Sequence, residues 1–178
     1  MTTNAIVSLK ALEERVPARV AKLIPSITQE IGAGIALLIY GARVTKEDRN
    51  LLIGLLGHIC EPISITETMV RPAAGLASGG PALIAYMLQS MADEAARSNS
   101  EVPPELAQKL VLETMSATMR LVGERKMTLD QIIRRVAVPG GMTAMSIEIL
   151  SRYVPQAWEI VFRETSAREK RNREALIL

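Results

Sequence analysis

Ser78-Gly79-Gly80-Pro81-Ala82 and Val138-Pro139-Gly140-Gly141-Met142-Thr143 decide how this chain is read. Each sets glycine and proline directly before a long apolar stretch, and this predicts a loop that turns into a helix. The first amides of a helix have no intrahelical acceptor, and the helix dipole adds partial positive charge there. Glycine in front lets a ligand come close, so two such starts suggest a carboxylate or phosphate site built from loops. Pro81 fits the first helical turn, where its missing N–H costs nothing. The plainer reading stands beside this one: the glycines only make turns and tight helix contacts.

Downstream of each start the texture is helical. Pro81 to Arg97 is apolar nearly all round until Asp93. Pro103-Pro104-Glu105 opens another helix, with Leu106, Leu110, Val111, Met115, Met119 and Val122 at helical spacing. Thr128 caps a short one. Met142 to Tyr153 reads as a fourth, and Pro155 to about Leu176 as a fifth that ends in a solvated charged tail. Upstream, Ser8 caps a helix over Leu9–Val16, and Arg19–Ile24 alternates like a strand up to Pro25. Gly34 to Tyr40 is a continuous apolar run, expected as a buried strand. Thr45-Lys46-Glu47-Asp48 opens a helix whose apolar face is Leu51, Leu52, Leu55, Leu56 and Ile59. Ile63 and Ile65 mark a short strand before Glu67. The fold class is therefore mostly α (α+β overall), in two parts: 1–68 mixed and 69–178 helical with about five helices.

Composition narrows the function. In 178 residues, 48% are hydrophobic but only 3% aromatic, so the apolar content is aliphatic and Met, as in packed helices. A helix as apolar as Pro81 to Arg97 is expected to bury itself against a partner subunit. The net charge of +2 gives nucleic-acid binding no electrostatic support, and few rings remain for base stacking. Cys60 is the single cysteine, which excludes an internal disulfide and fits a reducing, cytoplasmic setting. His58 and Cys60 alone make no structural zinc site, so no metal is expected. His58 is also the only candidate base for a serine triad, and it sits at the end of an apolar face. Glycine and proline interrupt the charge-free run Pro72 to Ala92, so no membrane span is expected. No G-x-G-x-x-G follows a strand, and Gly32-x-Gly34 precedes one instead of a helix.

The order of the pieces carries a resemblance. Leu23-Ile24-Pro25-Ser26 ends a strand, Gly34–Gly41 follows, and a helix opens at Thr45. A strand then ends at Glu67, followed by Ala77-Ser78-Gly79-Gly80-Pro81-Ala82 and, two helices later, Val136 to Thr143. This ordered set, over about Ser8 to Arg168, resembles the pyrroline-5-carboxylate reductase family. The resemblance implies that 1–68 is the C-terminal remnant of an NAD(P)-binding Rossmann domain. It implies that 69–178 is a helical dimerisation domain whose helices interlock in a homodimer, higher oligomers being left open. The first glycine loop and most of the dinucleotide-binding domain are absent from this sequence, so NADP or NAD is expected for the full-length family and not for this chain alone.

Site residues carry over by position. Pro25 and Ser26 stand at the family's cofactor-binding strand end, Ser26 replacing an Asn. Gly79, Gly80 and Pro81 stand at one substrate-binding loop, Gly79 replacing a serine. Val138, Pro139, Gly140, Gly141 and Met142 stand at the other, where Ala137 and Val138 have lost two hydroxyls. Arg71 stands where the family usually has an acid. Thr143 is the candidate catalytic residue: the amides after Gly140-Gly141 would anchor a carboxylate, and its hydroxyl would reach an imine nitrogen. The bland alternative is that Thr143 only caps its helix. A missing hydroxyl at Val138 costs about 1 kcal/mol if the family makes that bond. These departures lean toward the late-competence reductase-like branch.

Three functions follow as expectations. The first is the dimerisation and substrate-site portion of an NAD(P)H-dependent reductase that turns the cyclic imine pyrroline-5-carboxylate into proline, inactive alone. The second is a non-catalytic dimerisation or regulatory module of a competence-associated protein. The third is a reductase of a different imine or β-hydroxy acid.

Overall fold

The structure is a computed structural model that describes residues 1–3 and 7–176. Ser8 begins it as read: its side chain accepts from the Ala11 amide and caps α1, Leu9–Arg15. Three strands follow, β1 (Ala21–Ile24), β2 (Ile35–Tyr40) and β3 (Glu61–Ser64). β2 lies between the others, antiparallel to β1 and parallel to β3. The parallel pair needs a crossover, which α2 (Lys46–Leu56) supplies. Thr2 bridges to Lys22 in the parallel sense.

The apolar run of β2 is buried on both faces, as a central strand requires. Leu37 and Ile39 pack with Leu9, Val20, Ile24 and Val70 on one side. Ala36 and Leu38 pack with Leu23 and Cys60 on the other, where Leu52 and Leu56 of α2 meet them. The five-residue apolar face expected for α2 is thus corrected. Only Leu52 and Leu56 join a core cluster, whereas Leu51, Leu55 and Ile59 are exposed. Three strands are too narrow a sheet to cover a full helical face.

β1 also departs from its alternating pattern: all four residues are buried, Lys22 completely. The lysine is tolerated because its ammonium donates to Glu67 Oε1 at 2.5 Å, and the same oxygen accepts from the Leu9 amide at 2.9 Å. One carboxylate therefore ties β1, α1 and the 3-10 turn Glu67–Met69 together.

α2 starts in a reciprocal capping box of Thr45 and Asp48, with Arg19 adding an ion pair at 2.9 Å. The hydrogen bond from the Thr45 amide holds the Asp48 carboxyl below its ordinary value, the Thr45 hydroxyl and Arg19 adding to it. A depressed folded-state pKa contributes stability above the unfolded value and loses it as pH falls through the folded one. The stability gap between wild type and Asp48→Asn, followed by urea unfolding, is expected near neutral pH. It should close as the medium becomes more acidic than the Asp48 value.

The rest of the described chain is helical: α3 (Val70–Ala77), α4 (Gly80–Ser98), α5 (Pro104–Arg125), α6 (Leu129–Val136) and α7 (Met142–Leu176). One expectation changes here, and α3 stands where the sequence predicts no element. The two last helices are one: α7 runs through Pro155. A helix-interior proline costs about 3 kcal/mol, which the uninterrupted turns on either side offset, so the local start signal at Pro155 is overridden. A 3-10 helix over Ile27–Ile31 is also new.

The chain divides into two compact units, Met1–Leu83 with Val161–Leu178, and Ile84–Ile160. Both buried apolar clusters belong to the first. In the second, among the described residues, only Ala92 and Ala107 are buried hydrophobics.

Candidate functional site

The 138–143 loop is built from two successive tight turns. After α6, Ala137 adopts φ −85° and ψ 72°, and the Val138 amide donates back to Val136 O at 3.0 Å, an inverse γ-turn. The Gly141 amide then donates to Val138 O at 3.0 Å, enclosing Pro139 and Gly140. Gly140 has φ +76°, so proline precedes a left-handed residue as a type II turn demands. The first intrahelical bond of α7 runs from the Met145 amide to Gly141 O. Gly141 is therefore the N-cap, and Met142, Thr143 and Ala144 are the first-turn residues with no intrahelical acceptor. Thr143 lies inside the helix, past the capping position, and among the described residues its hydroxyl makes no hydrogen bond. Pro139, Gly140, Met142 and Thr143 are all exposed.

The backbone of this loop is what glycine makes possible. Gly140→Ala is expected to cost about 1–2 kcal/mol from the left-handed backbone alone. A β-carbon at Gly141 would stand 3.1 Å from both the carbonyl oxygen and a methyl of Val138. Urea unfolding of Gly140→Ala checks the first figure.

The 77–82 loop is tighter. Ala74 O accepts both the Ser78 and the Gly79 amides, closing the end of α3, and the Leu83 amide donates to Gly79 O to begin α4. Pro81 is the second residue of α4 and offers no amide, so the free first-turn donors reduce to Gly80 and Ala82. Neither Gly79 nor Gly80 has a positive φ. Gly79 is needed for a different reason, because its β-carbon would lie 3.2 Å from Gly75 O.

Pro25 is exposed just beyond β1, and Ser26 is buried with its hydroxyl accepting from Thr28 Oγ1 at 3.1 Å. The Thr28 side chain in turn occupies the space where a β-carbon at Gly34 would fall. Ser26 thus closes a local turn. Among the described residues, no group of three His, Cys, Asp or Glu could hold a metal ion, and no helix is long and apolar enough to cross a membrane.

In the second unit, α4 and α7 border an apolar groove of about 910 Å³. Met87, Met91, Ile147, Ile149, Leu150 and Val154 supply most of its lining. Met91 is 65% and Leu150 51% exposed.

Residues 67–172 match the family model described as pyrroline-5-carboxylate reductase dimerisation. The chain belongs to the pyrroline-5-carboxylate reductase family. It is 31% identical over 159 residues to the ComE operon protein 4 of Bacillus subtilis, covering 89% of this chain and 58% of that protein. With pyrroline-5-carboxylate reductase 3 of the same bacterium it shares 30% over 159 residues, at the same coverage. The chain therefore spans less than two thirds of these curated relatives. Among solved structures, the reductase of Streptococcus pyogenes aligns with a TM-score of 0.84 at 20% identity, over 94% of this chain and 65% of that one. The Plasmodium falciparum pyrroline carboxylate reductase with NADP bound aligns at 0.76 and 19%, over 95% and 66%. At those identities the likeness is one of fold, and it agrees with a small sheet followed by helices.

Sequence reasoning missed α3 and the buried Lys22–Glu67 pair. Pro72, the third residue of α3, is a helix-start signal at the beginning of the charge-free run.

Proposed function

We propose that this chain is the dimerisation and substrate-side portion of an NAD(P)H-dependent pyrroline-5-carboxylate reductase. The observation that carries the reading is the start of α7 in a chain of this family: an exposed turn, first-turn amides without intrahelical acceptors, and a Thr143 hydroxyl with no partner among the described residues. In this reading the amides of Met142 and Thr143 hold the substrate carboxylate, and the Thr143 hydroxyl hydrogen-bonds the ring nitrogen. Gly140 and Gly141 keep the backbone close to the ligand, and Val138 and Pro139 wall the turn. Gly79, Gly80 and Pro81 belong to the substrate side as well. Pro25 and Ser26 lie at the strand end nearest the dinucleotide, which a separate glycine-loop part would hold; hydride supply belongs to that part. The setting is cytoplasmic, and residues 1–68 and 69–178 are the two functional parts.

A homodimer completes the reading. The second unit has almost no buried apolar side chain of its own, and its α4 and α7 leave a long aliphatic groove open. A second copy of the same groove is the complementary surface, as in an isologous interface.

The test is a fusion. The N-terminal dinucleotide-binding part of pyrroline-5-carboxylate reductase 3 from Bacillus subtilis is joined in front of this chain and supplied with NADPH and pyrroline-5-carboxylate. NADPH oxidation is expected, with Thr143→Val lowering kcat/KM about tenfold, the loss of one hydrogen bond to a charged group. A dimeric fusion that binds NADPH yet oxidises none would favour the second reading, a non-catalytic dimerisation or regulatory module. Val138, Gly79 and Ser26, each short of a family polar group, and the similarity to the ComE operon protein 4 support that alternative.

A further inference from the structure

A second cavity, of about 240 Å³, lies between α3 and the C-terminal half of α7, within the first unit. None of the residues assigned above lines it. Its polar lining comes from Arg71 on α3 and from Thr165, Arg168, Glu169 and Asn172 on α7. Positions 165, 168, 169 and 172 share one helical face. Gly75 brings the two helices together there, since a β-carbon on it would lie 3.3 Å from the Phe162 ring.

The charges in this cavity do not balance. Glu169 is its only acid, and Arg173 already engages it twice, at 3.1 and 2.8 Å. Arg71 Nε stands 3.8 Å from Glu169 Oε2, beyond hydrogen-bond reach, and is buried without an acceptor among the described residues. Arg168 has no carboxylate partner among them. The Thr165 hydroxyl is spent on Val161 O at 2.7 Å. One buried guanidinium donor, Arg71 Nε, thus faces this small space unmet beside the exposed guanidinium of Arg168, and a buried donor left unpaired calls for a ligand that satisfies it. We propose that this cavity binds a small phosphate-type oxyanion, with Arg71 and Arg168 as its charged ligands and the Asn172 amide as a third donor. Guanidinium groups pair with phosphate through parallel hydrogen bonds, and three arginines, Arg71, Arg168 and Arg173, set against the single carboxylate of Glu169 favour a dianion over a singly charged carboxylate.

The experiment is titration calorimetry of inorganic phosphate into the whole chain, with chloride holding ionic strength constant. Saturable binding of one phosphate per chain is expected. Arg168→Gln, an exposed position whose loss leaves the fold intact by circular dichroism, should weaken it about tenfold. Glu169→Gln, which removes the competing acid, should bind at least as tightly as wild type. Acetate in place of phosphate should bind about tenfold more weakly. Absence of a saturable heat, unchanged affinity in Arg168→Gln, or acetate binding equal to phosphate would each overturn the proposal.

Discussion

Met91→Asp is expected to turn a dimer into a species of 19.4 kDa. Met91 is 65% exposed within one chain and lines the α4–α7 groove. If a second copy covers that groove, the substitution exchanges a buried thioether for an unpaired carboxylate. Leaving one charge uncompensated in a buried setting costs about 3–5 kcal/mol. That is roughly two to three and a half powers of ten in a dissociation constant. Met91→Leu keeps the volume and the apolar character, so it should remain dimeric. Sedimentation across a dilution series of the three proteins reads the difference. Because the second unit has so little core of its own, the aspartate variant should also lose much of that unit's cooperative unfolding, as obligate dimers do.

Lys22→Met is expected to destabilise the first unit by about 2–3 kcal/mol, below the 3–5 of a fully buried pair. The discount has a structural cause: the Lys22 side chain is completely buried, but that of Glu67 keeps 29% of its exposure and its bond from the Leu9 amide. Water can still reach the carboxylate left behind. Pairing Lys22→Met with Glu67→Gln should cost less than Lys22→Met alone, because no charge then stands without a counterpart. Urea unfolding of the two variants, read by circular dichroism, checks both the magnitude and the order. Equal losses would mean that the unpaired charge on Glu67 is not the source of the destabilisation.

Much of this fold is legible in the sequence because its signals are local. Ser8, Thr45 and Thr128 cap helices where their spacing predicts, and the run from Ile35 to Tyr40 is the central strand that its uniform apolarity implies. What escapes has a non-local cause. Lys22 reads as the outward residue of a half-buried strand. It is buried because Glu67, which lies 45 residues further on, provides the counter-charge. Pro155 gives a true helix-start signal that the turns on both sides outvote. At the site, the type II turn follows directly from Pro139-Gly140, whereas the difference between the two glycine loops does not. Only the structure separates Gly140, which needs a left-handed backbone, from Gly79, which needs room against Gly75 O. The unbalanced charge around Arg71 is likewise hidden, because it depends on which face of α7 meets α3.

The central claim is that a second copy of this chain completes the helical unit. Light scattering coupled to size exclusion on the unmodified chain tests it most directly. A mass of twice 19.4 kDa that persists on dilution is the predicted result. A stable, well-folded particle of 19.4 kDa would contradict it.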